Sequence, residues 1–206
     1  MDIQFYGANC VTVTYKNSRL VIDDTLVSYG AKTITKPTDV ALFTVPAPIG
    51  NARLNFDGPG EYEVSDVSII GIAAQSHVDE PNKLNATMFK LIQGEQSILI
   101  TGHIYPKLTD KQLEIIGQID VLIVPVGGNG FTVDPTGALQ VIKAIEPKIV
   151  IPTHYDDQSL KFPVPQQNLA QALKDMGMEP KETISKLRVK TSELTDVTQL
   201  IVLERS

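Results

Sequence analysis

The sequence predicts an α/β fold in which a β-rich first half is followed by alternating strands and helices. Short runs rich in β-branched and aromatic residues, separated by turn residues, fill the first half. From about Thr109 the apolar residues change to helical spacing. Two almost wholly apolar runs, at 121–126 and 149–151, then lie on either side of a predicted helix. A strand, a helix and a strand in this order indicate a parallel crossover.

The β-rich half divides into short segments and hairpins. Four segments come first, at 3–6, 11–15, 19–22 and 40–44. The residues between the second and third segments, Lys16-Asn17-Ser18, are typical of a hairpin turn. The breaker Asp57-Gly58-Pro59-Gly60 precedes two further predicted hairpins, formed by 62–64 with 67–72 and by 86–92 with 96–101.

Three helices and two terminal strands are predicted in the second half. Thr109 and Gln112 have the spacing of a capping box, so a helix begins there. Asp134-Pro135 offers an N-cap and a first-turn proline for a helix that ends at Ile145. Residues 166–176 have helix composition and end at a glycine, and strands are predicted at 187–189 and 199–203. Nothing marks a domain boundary, so residues 1–206 are expected to form a single domain.

Composition excludes several classes of partner. Of the 206 residues, 42% are apolar and 20% charged, which is an ordinary globular balance. The 18 basic and 24 acidic residues give a net charge of −6 without a long basic run, so we expect neither nucleic acid nor membrane as a partner. We expect neither a secretory leader nor a membrane span, because the first residues are not a cationic segment followed by an apolar one and no apolar run reaches ~20 residues. With a single cysteine, Cys10, the expected location is cytoplasmic.

The candidate site residues are the three histidines, His77, His103 and His154. Each falls where a predicted β segment ends or enters a loop, which is where α/β proteins build their sites. A lone histidine at such a position is more often a surface residue or a hydrogen-bonded core residue than a ligand. Position alone therefore predicts no function.

An ordered set of motifs extends over nearly the whole chain. It comprises Gly7-x-x-Cys10, Val21-Ile22-Asp23, the segment 57–64, His77, Thr101-Gly102-His103, the segment 124–128, and Pro147-Lys148-Ile149-Val150-Ile151-Pro152-Thr153-His154-Tyr155. This set resembles the prokaryotic metallo-β-lactamase-fold hydrolases related to ascorbate-6-phosphate lactonase. The resemblance implies an αββα four-layer sandwich, with two mixed sheets packed together, helices outside them, and a site at one edge in loops from both sheets.

The resemblance also implies a dinuclear metal site, most of whose ligands are replaced in this chain. The family signature Thr-His-x-His-x-Asp-His falls on Thr44-Val45-Pro46-Ala47-Pro48-Ile49-Gly50. Side chains that cannot donate a lone pair to a metal thus stand at four ligand positions, Val45, Ala47, Ile49 and Gly50. The family's bridging aspartate falls on His103, and the histidine of its Gly-His-x-Cys opening falls on Ala8.

Three family residues are kept. His77 matches the third ligand of the first metal, His154 matches the remaining ligand of the second, and Asp23 matches an aspartate that supports the ligands from behind. Two ligands from different half-sites are too few for zinc, which needs three or four. Without a metal, no hydroxide forms at neutral pH. The sequence therefore predicts a cofactor-free pseudoenzyme that has lost dinuclear hydrolase activity and acts by binding a small molecule or a protein partner.

An alternative stays open, because the replacement at the bridging position is itself a histidine. Three neutral imidazoles and a water form an accepted zinc arrangement. His77, His103 and His154 could thus hold one zinc or manganese ion in a mononuclear metal-dependent hydrolase. The competing hypothesis is that His103 fills the space that a metal has vacated, with its ring hydrogen-bonded to Asp23 or Tyr155.

The signature segment itself supports one more expectation. Residues 45–49 hold two prolines and three apolar residues in place of a charged loop, which predicts a remnant pocket that is apolar and partly closed. The other interpretation is a loop folded over its own core. Homo-oligomer formation is implied by the resemblance, although no segment specifies an interface.

Overall fold

The computed structural model describes residues 1–48, 50–78 and 83–206. These residues form fourteen strands, three α-helices and two short 3₁₀ helices. The strands are β1 (Asp2–Gly7), β2 (Cys10–Tyr15), β3 (Ser18–Ile22), β4 (Val40–Leu42), β5 (Leu54–Phe56), β6 (Gly60–Val64), β7 (Val67–Ala74), β8 (Ala86–Gln93), β9 (Gln96–Ile100), β10 (Val121–Pro125), β11 (Ile149–Thr153), β12 (Pro180–Ile184), β13 (Leu187–Arg188) and β14 (Gln199–Leu203). The helices are α1 (Asp110–Ile116), α2 (Pro135–Ile145) and α3 (Leu169–Met176), with 3₁₀ helices at Leu26–Tyr29 and Thr191–Glu193.

The strands form two mixed sheets. Within the described ranges, the first sheet has the order β13-β1-β2-β3-β4-β5 and the second the order β12-β14-β11-β10-β9-β8-β7-β6. The antiparallel pairs β2–β3, β6–β7 and β8–β9 confirm the three predicted hairpins, and β1–β2 and β7–β8 are further antiparallel pairs. β10 and β11 pair in parallel and are joined through α2, which confirms the predicted crossover.

An apolar core fills the space between the two sheets. Side chains alternate along β1, where Ile3 and Phe5 are buried while Asp2, Gln4 and Tyr6 are partly exposed. These two residues pack in the same cluster as Ile123 and Ile151 of the second sheet. Burial of each such side chain contributes roughly 1.5–3 kcal/mol. The sheets are therefore held face to face by ordinary hydrophobic packing.

The outer faces of the two sheets are covered differently. α2 and α3 pack over the second sheet, so β10 and β11 are buried on both faces. The outer face of the first sheet is covered, in the described residues, by the 3₁₀ helix Leu26–Tyr29 and by Leu160, which pack against Cys10 and Val21. The four-layer arrangement is confirmed, with a 3₁₀ helix and irregular segments as its fourth layer. No helix in the described ranges is both long and apolar enough to span a bilayer.

Three differences from the sequence-based expectations have physical causes. β5 and β12 are not predicted, because they are edge strands and four of the five β12 residues are exposed, which removes the alternating pattern. α3 begins at Leu169 rather than at 166, since the Asn168 side chain accepts from Gln171 N at 2.9 Å and caps the helix. β4 ends at Leu42, two residues early, because Thr44 turns toward Asp23.

Candidate histidine site at the sheet edge

His154 follows β11 and is fully buried. Its backbone lies in the left-handed region, with φ of 55°, which costs a residue with a Cβ roughly 1–2 kcal/mol. Its backbone N–H donates to the carbonyl of Ala8 at 2.8 Å. This turn brings the end of β11 against the first sheet, so a residue of the second sheet reaches the edge that both sheets share.

Gln166 fixes the tautomer of the His154 ring. Its Oε1 lies 3.2 Å from His154 Nδ1, and its Nε2 donates to the Val164 carbonyl at 2.8 Å. Because the amide nitrogen is already bonded to an acceptor, the amide oxygen faces the ring, and Nδ1 must carry the hydrogen. His154 Nε2 then holds a lone pair, and this buried atom has no hydrogen-bond partner in the structure. Such a ring, held through one nitrogen and free at the other, has the geometry of a metal-ligating histidine.

Gly127 allows Gln166 to approach the ring so closely. A Cβ at position 127 would overlap both Gln166 Oε1 and the backbone carbonyl oxygen of His154. The glycine also accepts a hydrogen bond from Gln167 N at 2.8 Å, which anchors the segment before α3. The position of Gln166 therefore depends on the absence of a side chain at 127.

Gln166→Leu should lower the free energy of unfolding by about 1–3 kcal/mol, because it leaves the buried N–H of His154 without an acceptor. The measurement is urea unfolding followed by circular dichroism. The matched control is Gln118→Leu, at an exposed glutamine, which should change stability by less than about 0.5 kcal/mol. Equal stability of the two variants would contradict the assigned hydrogen bond.

His103 lies directly beside His154. The two ring centroids are 4.8 Å apart and the rings meet edge to face. Burial lowers the pKa of His103 to about 4, although a hydrogen bond with the Phe131 backbone opposes the change. Burial, with His103 as a second cause, lowers the pKa of His154 to about 3. Both imidazoles are therefore neutral at pH 7, the form in which histidine binds metals.

His77 joins this pair through the backbone. Its N–H donates to the His103 carbonyl at 2.8 Å, next to a bridge between Ser76 and Ile104. Burial lowers the pKa of His77, while Asp134 acts in the opposite direction. His77 Nδ1 is buried and has no hydrogen-bond partner. The structure thus brings the three predicted histidines into one neighbourhood, with an unpaired ring nitrogen on two of them.

Asp23 is buried at the end of β3 and is held by Thr44. The Thr44 backbone N–H donates to Oδ1 at 2.7 Å and its hydroxyl to Oδ2 at 2.6 Å. Burial raises the pKa of Asp23 to about 6, against the effect of these two hydrogen bonds. The expected bond from His103 to Asp23 or Tyr155 is not what the structure shows, since Tyr155 donates instead to the Leu203 carbonyl at 3.4 Å.

A cavity of 370 Å³ opens in front of Asp23 and His103. Most of its lining is apolar, and its lining residues are Asp23, Thr25, Ser28, Tyr29, Val45, Pro46, Ala47, Pro48, Ser76, Val78, His103 and Phe131. Val45 and Ala47 of the expected remnant pocket thus lie in its wall. Gly50 is exposed and outside the lining, and Ile49 lies outside the described residues.

The metal implied by the resemblance can be tested against these donors. The dinuclear centre does not fit, because Val45, Ala47 and Gly50 carry no donor atom. In the described part of the chain, no group of three or more His, Cys, Asp or Glu side chains is arranged to hold a metal ion. The donor chemistry for one ion is nevertheless present, in the unpaired nitrogens of His77 and His154 beside the neutral His103. The donors are thus suitable for a single ion, but they are not preassembled around it.

Several site residues are not found by the sequence reasoning. Three rings surround His154, with centroid distances of 6.1 Å to Tyr29, 5.5 Å to Phe131 and 5.0 Å to Phe162. Tyr29 belongs to a 3₁₀ helix, Phe131 to the segment before α2, and Phe162, like Gln166, to the segment between β11 and α3. No spacing in the sequence links these residues to a histidine. The pair Gly127-Gly128 directly after a buried strand was the available signal, because glycine there indicates a close backbone approach.

Comparison with known proteins agrees with this architecture. Residues 2–154 match a family model described as the Beta-lactamase superfamily domain. A UPF0173 metal-dependent hydrolase of Carboxydothermus hydrogenoformans is 38% identical over 72 residues, which are 35% of this chain and 31% of the relative. Another from Nanoarchaeum equitans is 41% identical over 69 residues, 32% of this chain and 30% of the relative. The matches thus span less than a third of these relatives' length.

Solved structures match over a longer part of the chain. A protein from Thermotoga maritima assigned to the Zn-dependent hydrolases of the metallo-β-lactamase superfamily aligns with a TM-score of 0.74 and 25% identity, covering 98% of both chains. A metallo hydrolase from Ignicoccus hospitalis aligns with a TM-score of 0.60 and 15% identity, over 85% of this chain and 90% of that one.

These relatives correct the function expected from the sequence. The prediction of a pseudoenzyme that acts only by binding is wrong, because the curated relatives are metal-dependent hydrolases and the structural neighbours are metallo-hydrolases. The prediction equated the loss of four signature ligands with the loss of activity. The comparisons favour the alternative, a metal-dependent hydrolase, instead.

Proposed function

The chain belongs to the Beta-lactamase superfamily, and from this premise we propose that it is a metal-dependent hydrolase using one divalent ion, zinc or manganese, at His77, His103 and His154. The observation that carries the proposal is the buried, unpaired Nε2 of His154, whose ring Gln166 orients through Nδ1. A buried polar atom without a partner is unusual and calls for a ligand. The names of the curated relatives and of the Thermotoga maritima protein support the same reaction class.

The chain's own residues have separate parts in this proposal. When bound, a divalent ion supplies a water whose pKa is lowered to about 7. The histidines hold the ion, and their low pKa values keep them free of competing protons at neutral pH. Asp23 lines the cavity with a pKa of about 6, so it is suited to accept a proton from a group that enters the cavity. Because the imidazoles are not preassembled, metal binding requires their side chains to rearrange.

Metal content tests the proposal directly. Untagged protein, treated with a chelator and then offered zinc or manganese, should retain about one ion per chain by elemental analysis. Hydrolysis of a chromogenic ester should stop on chelation and return with metal. His154→Ala should reduce both metal content and rate by at least about tenfold, because it removes the preoriented ligand.

The matched control is Phe162→Leu. This substitution removes a ring that contacts His154 at 5.0 Å but takes away no donor atom, so the metal content should stay unchanged. Equal metal content in His154→Ala and the unaltered protein would refute the proposed ligand set. Hydrolysis that is indifferent to chelation would refute the dependence on metal.

The site of action in this proposal is the cytoplasm. Cys10 is the single cysteine and is fully buried, and burial raises the pKa of its thiol. A single cysteine has no partner for an internal disulfide, which agrees with a reducing compartment. The net charge of −6 keeps nucleic acid and anionic membrane outside the proposed partners.

A further inference from the structure

We infer that the cavity in front of His103 takes an uncharged substrate, an ester, lactone or amide with an apolar or aromatic group beside the scissile bond, and not a phosphate ester. This inference rests on the proposed function for the reaction. The preference for neutral over anionic molecules is derived from the cavity lining alone, so the two can fail separately.

The walls of the cavity favour an apolar ligand. Val45, Pro46, Pro48 and Val78 form one part of the lining, and the rings of Tyr29 and Phe131 form another. Apolar surface removed from water stabilises a complex roughly in proportion to its area. Aromatic rings also offer flat surfaces for a planar group. A volume of 370 Å³ lies within the range of small-molecule sites, so the cavity can enclose such a group.

The charges of the lining disfavour an anion. No lysine or arginine is among the described residues that line the cavity, although proteins usually recognise phosphate with these side chains. Asp23 contributes a carboxyl group to the lining, which repels an anion when it is ionised. An anion that entered would therefore lose its hydration without gaining a cationic side chain from the lining, and a bound metal ion would be its one cationic partner there.

The remaining polar groups suit an uncharged acyl group. Thr25, Ser28 and Ser76 line the cavity with hydroxyl groups, which can donate hydrogen bonds to a carbonyl oxygen. The overall charge of −6 acts in the same direction, because it lowers the local concentration of anions around the protein. The apolar lining of the cavity and the negative net charge of the protein thus both favour neutral, partly apolar molecules.

Two probes of nearly equal shape measure this preference. Benzyl methyl sulfone is neutral, whereas phenylmethanesulfonate carries one negative charge, and both are poor metal ligands. Calorimetric titration into chelator-treated, metal-free protein should show that the sulfone binds at least about tenfold more tightly. Equal or tighter binding of the sulfonate would overturn the inference, and so would the failure of both probes to saturate the site.

A matched pair of variants tests whether the cavity itself sets the preference. Val78 and Val197 are both exposed, at 69% and 74%, but only Val78 lines the cavity. Val78→Lys should reduce the preference for the sulfone several-fold, because it adds a cation at the lining. Val197→Lys should leave the preference unchanged. An equal effect of the two variants would assign the preference to net charge and overturn the inference.

Hydrolysis of matched nitrophenyl substrates separates this inference from the proposed function. p-Nitrophenyl butyrate and bis(p-nitrophenyl) phosphate share a leaving group but differ in charge. With each rate divided by its uncatalysed rate, the butyrate should be favoured. Preference for the phosphate diester would support the proposed hydrolase function but refute the proposed substrate class. If neither substrate is hydrolysed but the sulfone still binds more tightly than the sulfonate, the proposed hydrolysis is refuted and the proposed selectivity of the cavity is supported.

Discussion

Gly102→Ala should lower the free energy of unfolding by about 2–5 kcal/mol. The backbone of Gly102 has a φ of +61°, which costs an alanine roughly 1–2 kcal/mol. A Cβ there would also overlap the hydroxyl and Cβ of Thr44 and lie 2.7 Å from Thr44 Cγ2. Displacing Thr44 weakens both of its hydrogen bonds to the buried Asp23, and overpacking of this kind costs about 1–3 kcal/mol.

Gly177→Ala is the matched control for this effect. Gly177 has nearly the same φ, +63°, but open space where a Cβ would lie, so only the backbone cost remains, about 1–2 kcal/mol. Urea unfolding of both variants gives the comparison. The close contact between Gly102 and Thr44 would be refuted if the two alanine variants lost the same stability.

Metal-free protein should lose on the order of 3 kcal/mol of stability as the pH falls from 6.5 to 4. The folded-state pKa values of His103 and His154, about 4 and about 3, lie below the ordinary value of 6.5. Neutral histidine is therefore favoured by folding, and this contribution is present above pH 6.5 and is lost as the pH falls toward the folded-state values. Asp23 opposes it, because its pKa rises from 3.8 to about 6, so its ionisation destabilises the fold as the pH rises through that range.

Between pH 6.5 and pH 4 the stability lost through the two histidines exceeds the stability gained through Asp23, so the net stability is expected to decrease as the pH falls. Unfolding by urea at several pH values, in the presence of a chelator, measures the effect. Asp23→Asn provides the control, because removing the opposing group should make the loss at low pH steeper. Asp2, whose pKa is lowered to about 2 mainly by Arg188, changes charge below this window and does not disturb the test. A stability that is flat or rises toward pH 4 would contradict the assignment.

Much of the fold is encoded in local sequence signals. The predicted capping box is present, since Gln112 N donates to Thr109 Oγ1 at 3.3 Å and Thr109 N to Gln112 Oε1 at 2.9 Å. The predicted N-cap Asp134 accepts from Gly137 N at 2.7 Å. Such signals involve residues three or four positions apart, so one sequence suffices to read them. The edge strands β5 and β12 depend instead on distant partners and carry no equivalent pattern.

The candidate site, too, could be predicted only in part from the sequence. The histidines are visible in the sequence because they follow apolar strands, and the resemblance places them at one edge. The partner of His154 is not visible, because Gln166 acts from the loop before α3, twelve positions away, through an approach that Gly127 permits. The length of the 3₁₀ segment Leu26–Tyr29 and the ring of Tyr29 against His154 likewise depend on tertiary packing. Ligand counting alone therefore misjudged what this edge of the fold can do.

Thr44 also bears on how the site can move. Its N–H and hydroxyl bind Asp23 at the end of the first sheet, while its carbonyl accepts from Thr87 N of the second sheet at 2.8 Å. One residue thus links the two sheets at the floor of the cavity through its bond with Thr87, and it is itself held in place by two buried hydrogen bonds to Asp23. Breathing motions that admit a molecule should therefore come from the outer walls, near Val78 and the prolines after Thr44, while the floor stays rigid.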